Sequence, residues 1–204
     1  VRHKLLDNFY ALKIVKISHP KTQVRMLREG QVQARIRHPN VVQIIDILDI
    51  NGSPGLIMEY IEGIALNEWL TEREFNLQER EQIFLSILDG VGAAHKLDII
   101  HRDLKPSNIL IYENDGQIIP KVCDFGLAKA LEGEDDNFTR SVVALGTPAY
   151  MAPEQVRNSK KVDHRADIFS LGTILYEMVT GRKPFTGKDS FELLNSVIHK
   201  IHPS

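Results

Sequence analysis

The longest periodic signal in the chain lies between Leu77 and Lys96, where Ile83, Phe84, Ile87, Leu88, Val91 and Ala94 recur at intervals of three and four. That spacing predicts a core helix over 77–96. A second apolar helical run spans 163–180, ended by Gly181-Arg182-Lys183-Pro184, and a third helix begins over 190–199. Residues 24–37 read as an amphipathic helix stopped by His38-Pro39-Asn40. Strand patterns occupy 10–16, 41–50, 56–60, 109–112 and 118–122. Asn51-Gly52 and Asn114-Asp115-Gly116 carry the turn chemistry that joins neighbouring strands into hairpins.

Composition adds limits to this pattern. Of 204 residues, 43% are hydrophobic and 25% charged, as expected for a soluble globular chain with an adequate core, and neither internal repeats nor low-complexity stretches interrupt it. Arg25, Arg28, Arg35 and Arg37 give the 24–37 helix a basic face. Lys and Arg number 25 against 27 Asp and Glu, a formal charge of −2, so no basic excess exists for a nucleic-acid footprint and that face reads as solvated. The apolar run in 163–180 falls short of the roughly 20 residues of a membrane span and is broken by Glu177. Cys123 is the single cysteine, which excludes an intrachain disulfide or a cysteine-built metal site and suits a reducing compartment.

The chemistry is concentrated in residues 101–126, H-R-D-L-K-P-S-N-I-L-I-Y-E-N-D-G-Q-I-I-P-K-V-C-D-F-G. A hairpin brings its open ends together. Asn108 enters one end and Asp124 leaves the other, so an amide oxygen and a carboxylate are expected a few ångströms apart, with Asp103 just upstream. Oxygen ligands of this kind suit Mg²⁺, which takes few protein ligands and completes its shell with phosphate and water. Beside such a metal, Asp103 would orient a hydroxyl and Lys105 would neutralise charge on a moving phosphoryl group. His101 reads as an orienting or packing residue, and His95 as structural.

His101-Arg102-Asp103 with Asn108 matches H-R-D-x-x-x-x-N, and Asp124-Phe125-Gly126 matches D-F-G; in both the chain resembles the protein kinases. The resemblance implies an α+β, two-lobed fold with a small β-rich N-lobe bearing one regulatory helix and a larger, mainly helical C-lobe. It divides the chain into an N-lobe over 1–59, a hinge over 60–63 and a C-lobe over 64–204, all within one partial kinase domain, 1–204. It implies ATP and Mg²⁺ as cofactors. Lys13, in the A-x-K pattern that begins at Ala11, would hold the phosphates, although Lys16 competes for that role. Glu29 stands where the family's helix carboxylate pairs with the strand lysine; an ordinary surface pair with Arg25 is the alternative. Met58 would back the nucleotide pocket, Glu59 and Ile61 would meet adenine from the hinge, and Ala11, Leu110 and Cys123 would line it. Asn108 and Asp124 would be the metal ligands.

Gly146 to Glu154 resembles the end of an activation segment, in a form closer to Ser/Thr than to Tyr kinases, and the overall match is to the bacterial, eukaryotic-like Ser/Thr kinases. Thr147 would bond Asp103 and Lys105 beside the substrate hydroxyl. Arg102, read as an unpaired guanidinium, would attract a phosphate on Thr139 or Ser141, with Lys129 as a second cation. Asp167 would hold the catalytic loop through backbone hydrogen bonds. The expected partners are a protein substrate bearing Ser or Thr and, for trans-autophosphorylation, a second copy of the chain. Three departures stand out. No Gly-rich loop precedes Lys13, which suggests that it lay before Val1, and the last large-lobe helices are missing after Ser204. Gln33, four residues after Glu29, replaces an apolar residue of relatives. A pseudokinase is disfavoured because Lys13, Asp103 and Asp124 are all present, and a small-molecule phosphotransferase because the 146–154 platform is intact. Inactivity of this incomplete piece stays open. ATP use and the lack of a signal or membrane segment place the domain in the cytoplasm, with an anchor outside these residues left open.

Overall fold

A computed structural model describes residues 1–4, 7–15, 20–72, 75–125, 148–157 and 162–199. The small lobe is an antiparallel sheet of β1 (Tyr10–Ile14), β2 (Ile44–Ile50) and β3 (Ser53–Glu59), in the order β1-β3-β2, with helix α1 (Pro20–Gln33) packed on β2 and β3. Asn51 and Gly52 have φ of 52° and 80°, the left-handed pair that the Asn-Gly turn was expected to supply between β2 and β3. α1 starts earlier than its periodicity predicts because Pro20 is pre-organised for a first helical turn. It also ends earlier. The amides of Arg35 and Ile36 bond three residues back, to Val32 and Gln33 at 3.1 and 2.9 Å, so the last turn tightens well before Pro39.

The larger lobe begins with β4 (Ile64–Ala65), which pairs with the hairpin of β5 (Ile109–Asn114) and β6 (Gln117–Val122). Its helices among the described residues are α2 (Leu66–Glu72), α3 (Leu77–His95), α4 (Pro153–Arg157), α5 (Arg165–Thr180) and α6 (Ser190–His199). α3 opens on a capping box: Asn76 Oδ1 accepts from the Glu79 amide at 2.9 Å, and the Asn76 amide donates back to Glu79 Oε2 at 3.0 Å. Ile83, Ile87, Val91 and Ala94, its predicted apolar stripe, are all buried in the large-lobe core, where α3 packs on β6 and α5. β4 and α4 were not expected from the sequence; each is too short to show a period.

The two sheets are joined by hydrogen bonds rather than by continuous strands. Val42 donates to Val122 O and Val122 to Asn40 O, both at 2.8 Å, and Asn40 Nδ2 donates to Pro120 O at 2.9 Å. A second joint is ionic: Lys121 Nζ, on β6 and only 8% exposed, reaches Glu59 Oε1 and Oε2 at 2.7 and 2.9 Å, at the last residue of β3. Glu59 Oε1 also accepts from the Gln43 amide at 2.7 Å.

Candidate active site

Strand periodicity builds the upper wall. Tyr10 pairs with Glu59, Ala11 with Met58 and Lys13 with Leu56, so Ala11, Lys13, Leu56 and Met58 share one face of the sheet. Met58 and Leu56 are buried there, and Ala11, Ile61, Leu110 and Cys123 pack against the same cluster. Five residues expected around a nucleotide thus come from β1, β3, the connector, β5 and the end of β6. Lys13 leaves this wall and meets Asp124: Nζ lies 2.7 Å from Oδ1, with the side chains 39% and 24% exposed. Glu29 is half-buried on α1.

The floor is the loop between α3 and β5. A one-turn 3₁₀ segment, Pro106–Asn108, turns the chain so that Asn108 Nδ2 donates to Asp103 O at 2.8 Å and to Asp103 Oδ2 at 3.1 Å. Lys105 Nζ donates to the same Oδ2 at 2.7 Å. With Oδ2 occupied twice, Asp103 Oδ1 takes no proton from any described residue. Asn108, its NH₂ spent on Asp103, has its amide oxygen left as an acceptor. Its backbone carbonyl accepts from the Cys123 amide at 2.9 Å, one residue before Asp124.

Asp167, on the first turn of α5, carries this loop. Its Oδ1 accepts from the Arg102 amide at 2.9 Å, and its Oδ2 accepts from the His101 amide at 2.8 Å and from His95 Nε2 at 2.7 Å. Burial works against charge on Asp167, yet the His95 hydrogen bond and the two amides outweigh it and hold the carboxyl below the usual carboxylate range. His101 is fully buried; Nδ1 accepts from the Asp103 amide at 3.2 Å, so Nε2 bears the proton and donates to Cys123 O at 2.8 Å. Its ring lies 4.6 Å from that of Phe125. One imidazole therefore joins Asp103 to the strand end before Asp124, which makes it an orienting residue. Arg102 and Asp124 adopt φ of 69° and 66°, left-handed values that non-glycine residues hold only where the surroundings impose them.

Cys123 has its thiol pushed up to about 12, first by burial and then by the charge of Asp124, and Sγ donates to Asn108 O at 3.3 Å. Arg102 is not an unpaired guanidinium as expected: it donates to Val162 O at 3.4 Å. The sequence reading also missed two contributors. Gln155, 7% exposed, donates from Nε2 to Arg102 O at 2.7 Å and accepts from the Ala152 amide at 3.0 Å, clamping the catalytic loop to the start of α4. Its partners are distant in sequence and leave no local signal. Lys121, the other, did leave one, a lysine inside the apolar run of β6. Thr147, Thr139, Ser141, Lys129 and Lys16 lie outside the described residues.

Comparison with known proteins agrees with this geometry. The protein kinase domain family matches residues 1–203. Serine/threonine-protein kinase pkn3 of Myxococcus xanthus is 38% identical over 194 residues, covering 90% of this chain and 35% of the relative. A probable serine/threonine-protein kinase PknB of Bifidobacterium longum is 39% identical over 209 residues, 96% of this chain and 30% of its own length. Serine/threonine-protein kinase PrkC of Bacillus subtilis is 36% identical over 204 residues, 98% and 31%. The chain spans about a third of the length of these relatives. Sheet, helical lobe, loop geometry and sequence match converge, and the chain belongs to the protein kinase domain family.

Proposed function

We propose that this site transfers the γ-phosphoryl group of ATP to a Ser or Thr hydroxyl of a protein. The arrangement of Asp103 carries the reading: one carboxylate oxygen is pinned by Lys105 and Asn108 and the other is left for a donor, while Lys13 and Asp124 meet across the cleft. The substrate oxygen attacks the γ-phosphorus, Asp103 receives its proton, and the bond to ADP breaks with its electrons leaving on the β-phosphate oxygen. Lys105 neutralises charge on the transferred group, and Lys13, positioned by Glu29, holds the other phosphates. Ala11, Met58, Ile61, Leu110 and Cys123 enclose the adenine, and the Glu59 and Ile61 backbone meets its edge. Thr147 completes the hydroxyl's surroundings.

The donor set fits Mg²⁺. Among the described residues no three His, Cys, Asp or Glu side chains cluster as a metal cage. Asp124 and the amide oxygen of Asn108 instead offer two hard oxygens, as suits a cation completed by phosphate and water. Mg²⁺, when bound, neutralises phosphate charge. The experiment is ³²P transfer to a generic Ser/Thr protein in the protein at its natural length, with Asp103→Asn and with EDTA. Transfer that either treatment abolishes is expected; ATP binding without transfer in any phosphorylation state would sink the reading. Activation by autophosphorylation at Thr139 or Ser141, through a second copy of the chain, belongs to the same proposal, and a Thr139→Ala, Ser141→Ala protein with full activity would remove it. ATP as substrate favours a cytoplasmic site of action; no described helix is long and apolar enough to cross a membrane.

A further inference from the structure

Arg102 and Asp103 share one peptide plane, whose oxygen belongs to the first and whose amide nitrogen belongs to the second. The plane is held at both ends. Gln155 Nε2 donates to the oxygen at 2.7 Å, and the nitrogen donates to His101 Nδ1 at 3.2 Å, so the shorter bond is the one from Gln155. Arg102 needs such support because its φ of 69° is left-handed, a conformation that disfavours a residue with a Cβ by about 5- to 30-fold. Asp167 fixes the preceding plane through the Arg102 amide at 2.9 Å, which leaves the plane that carries Asp103 to Gln155 and His101.

Gln155 has a second task, and that task does not explain the choice of residue. It is the third residue of α4, and its Oε1 accepts from the Ala152 amide at 3.0 Å, just before the helix begins at Pro153. This is the returning half of a capping box, which glutamate performs as well as glutamine. Only glutamine keeps an NH₂ to donate elsewhere, and here it goes to the Arg102 oxygen. The two partners also fix which way the amide faces, because one gives a proton and the other receives one. Gln155 is 7% exposed and Ala152 fully buried, so both bonds are screened from water.

We propose that Gln155 is a positioning residue for phosphoryl transfer: by holding the Arg102 carbonyl it fixes the peptide plane from which Asp103 projects, and so ties the proton acceptor to the segment that begins α4. This rests on the reading above in which Asp103 receives the hydroxyl proton. Lys105 and Asn108 hold the Asp103 carboxylate itself, so without Gln155 the side chain stays in the site while its aim at the hydroxyl loosens. The nucleotide wall, built from β1, β3 and the end of β6, has no contact with Gln155 and keeps its affinity.

The test is Gln155→Glu in the protein at its natural length, since glutamate retains the capping acceptor and, when ionised, sets a carboxylate against the Arg102 oxygen. ³²P transfer, ATP affinity and ATP stoichiometry are measured from mildly acid to mildly alkaline pH. At neutral pH kcat is expected to fall by about 5- to 150-fold, the range for a buried acceptor left unpaired, with ATP affinity and stoichiometry unchanged. Towards acid pH the new carboxyl, its pKa raised by burial, gains a proton and donates it to the Arg102 oxygen, so the ratio of variant to wild-type kcat is expected to recover. Glu154 and Arg157 on α4, His101, Arg102 and Asp103 in the loop, and Asp167 on α5 are common to both proteins, so the ratio isolates the new carboxyl. A purely structural role would lower ATP stoichiometry along with transfer. That result, an unchanged kcat, or a ratio flat in pH overturns the proposal in a protein whose transfer requires Asp103. Transfer that does not require Asp103 defeats the kinase reading instead; amide exchange over 101–105 then decides whether Gln155 holds the loop, and exchange no faster than in wild type overturns that as well. Should Gln155→Glu fail to fold, Gln155→Met, which keeps the length and loses both bonds, is judged on the same fall in kcat at unchanged ATP affinity and stoichiometry.

Discussion

Asp167 shows how much of this site depends on one buried side chain behind the loop. It is fully buried and gathers His95 and the amides of His101 and Arg102. Asp167→Asn keeps the shape but loses the charge and presents an NH₂ to one of these donors, so a cost of about 2–4 kcal/mol is expected in urea unfolding, with a matching loss of transfer. The pH dependence follows from the sign of the shift. A carboxyl held below its ordinary 3.8 contributes stability that is complete above that value and is lost as pH falls through the lower folded value. Wild type should therefore weaken below about pH 4 more steeply than Asp167→Asn, as urea midpoints across acid pH would show. Cys123 gives the opposite expectation. Its thiol, pushed up to about 12, stays protonated at neutral pH, so iodoacetamide should label it far more slowly in the native than in the unfolded protein. Equal rates would refute this. At this scale the sequence was legible where neighbours are local: Asp103, Lys105 and Asn108, close in sequence, are joined by hydrogen bonds. Gln155 was not, because its partner Arg102 is fixed only by the tertiary path.

Among the elements, the β5–β6 hairpin is the one whose geometry the sequence specified most completely. Asp115 and Gly116, with φ of 50° and 74°, close it as the Asn-Asp-Gly signal requires, and the register from Ile109–Val122 to Asn114–Gln117 brings both ends to the site. What the pattern did not show is how β6 is tied to β3. Lys121 and Glu59 form that tie with side chains 10% and 27% exposed, and the carboxylate is shared with Gln43. Glu59→Gln leaves a buried ammonium without its counter-charge and is expected to cost about 2–4 kcal/mol, the partial exposure of Glu59 keeping it below the figure for a fully buried pair. The combined Glu59→Leu, Lys121→Met protein should lose less than the sum of the single changes, measured as a urea double-mutant cycle. Additive losses would mean that the two side chains do not act as a pair.

For the whole molecule, the decisive contact is the close approach of α3 to the segment that leads into β2. A methyl group on Gly90 would lie 2.7 Å from the backbone oxygen of Asn40, whose side chain and carbonyl also hold β6. Gly90→Ala should therefore force the lobes apart, lowering stability by about 1–3 kcal/mol in thermal or urea unfolding and weakening nucleotide binding as Lys13 and Asp124 separate. A change in stability with nucleotide affinity intact would show that the cleft does not feel this joint. By itself, the sequence determined the helices with clear periods and the hairpins with glycine turns, because each rests on neighbours within one or two turns of chain. Only the tertiary structure decided that Lys13 meets Asp124, that Gln155 clamps the catalytic loop, that Lys121 joins the sheets through Glu59, and that Gln33 is buried with an unpartnered oxygen. Most of these join residues dozens of positions apart, and Gln33 owes its burial to how α1 meets the rest of the fold; packing of separate elements sets all of them, and no local pattern encodes it.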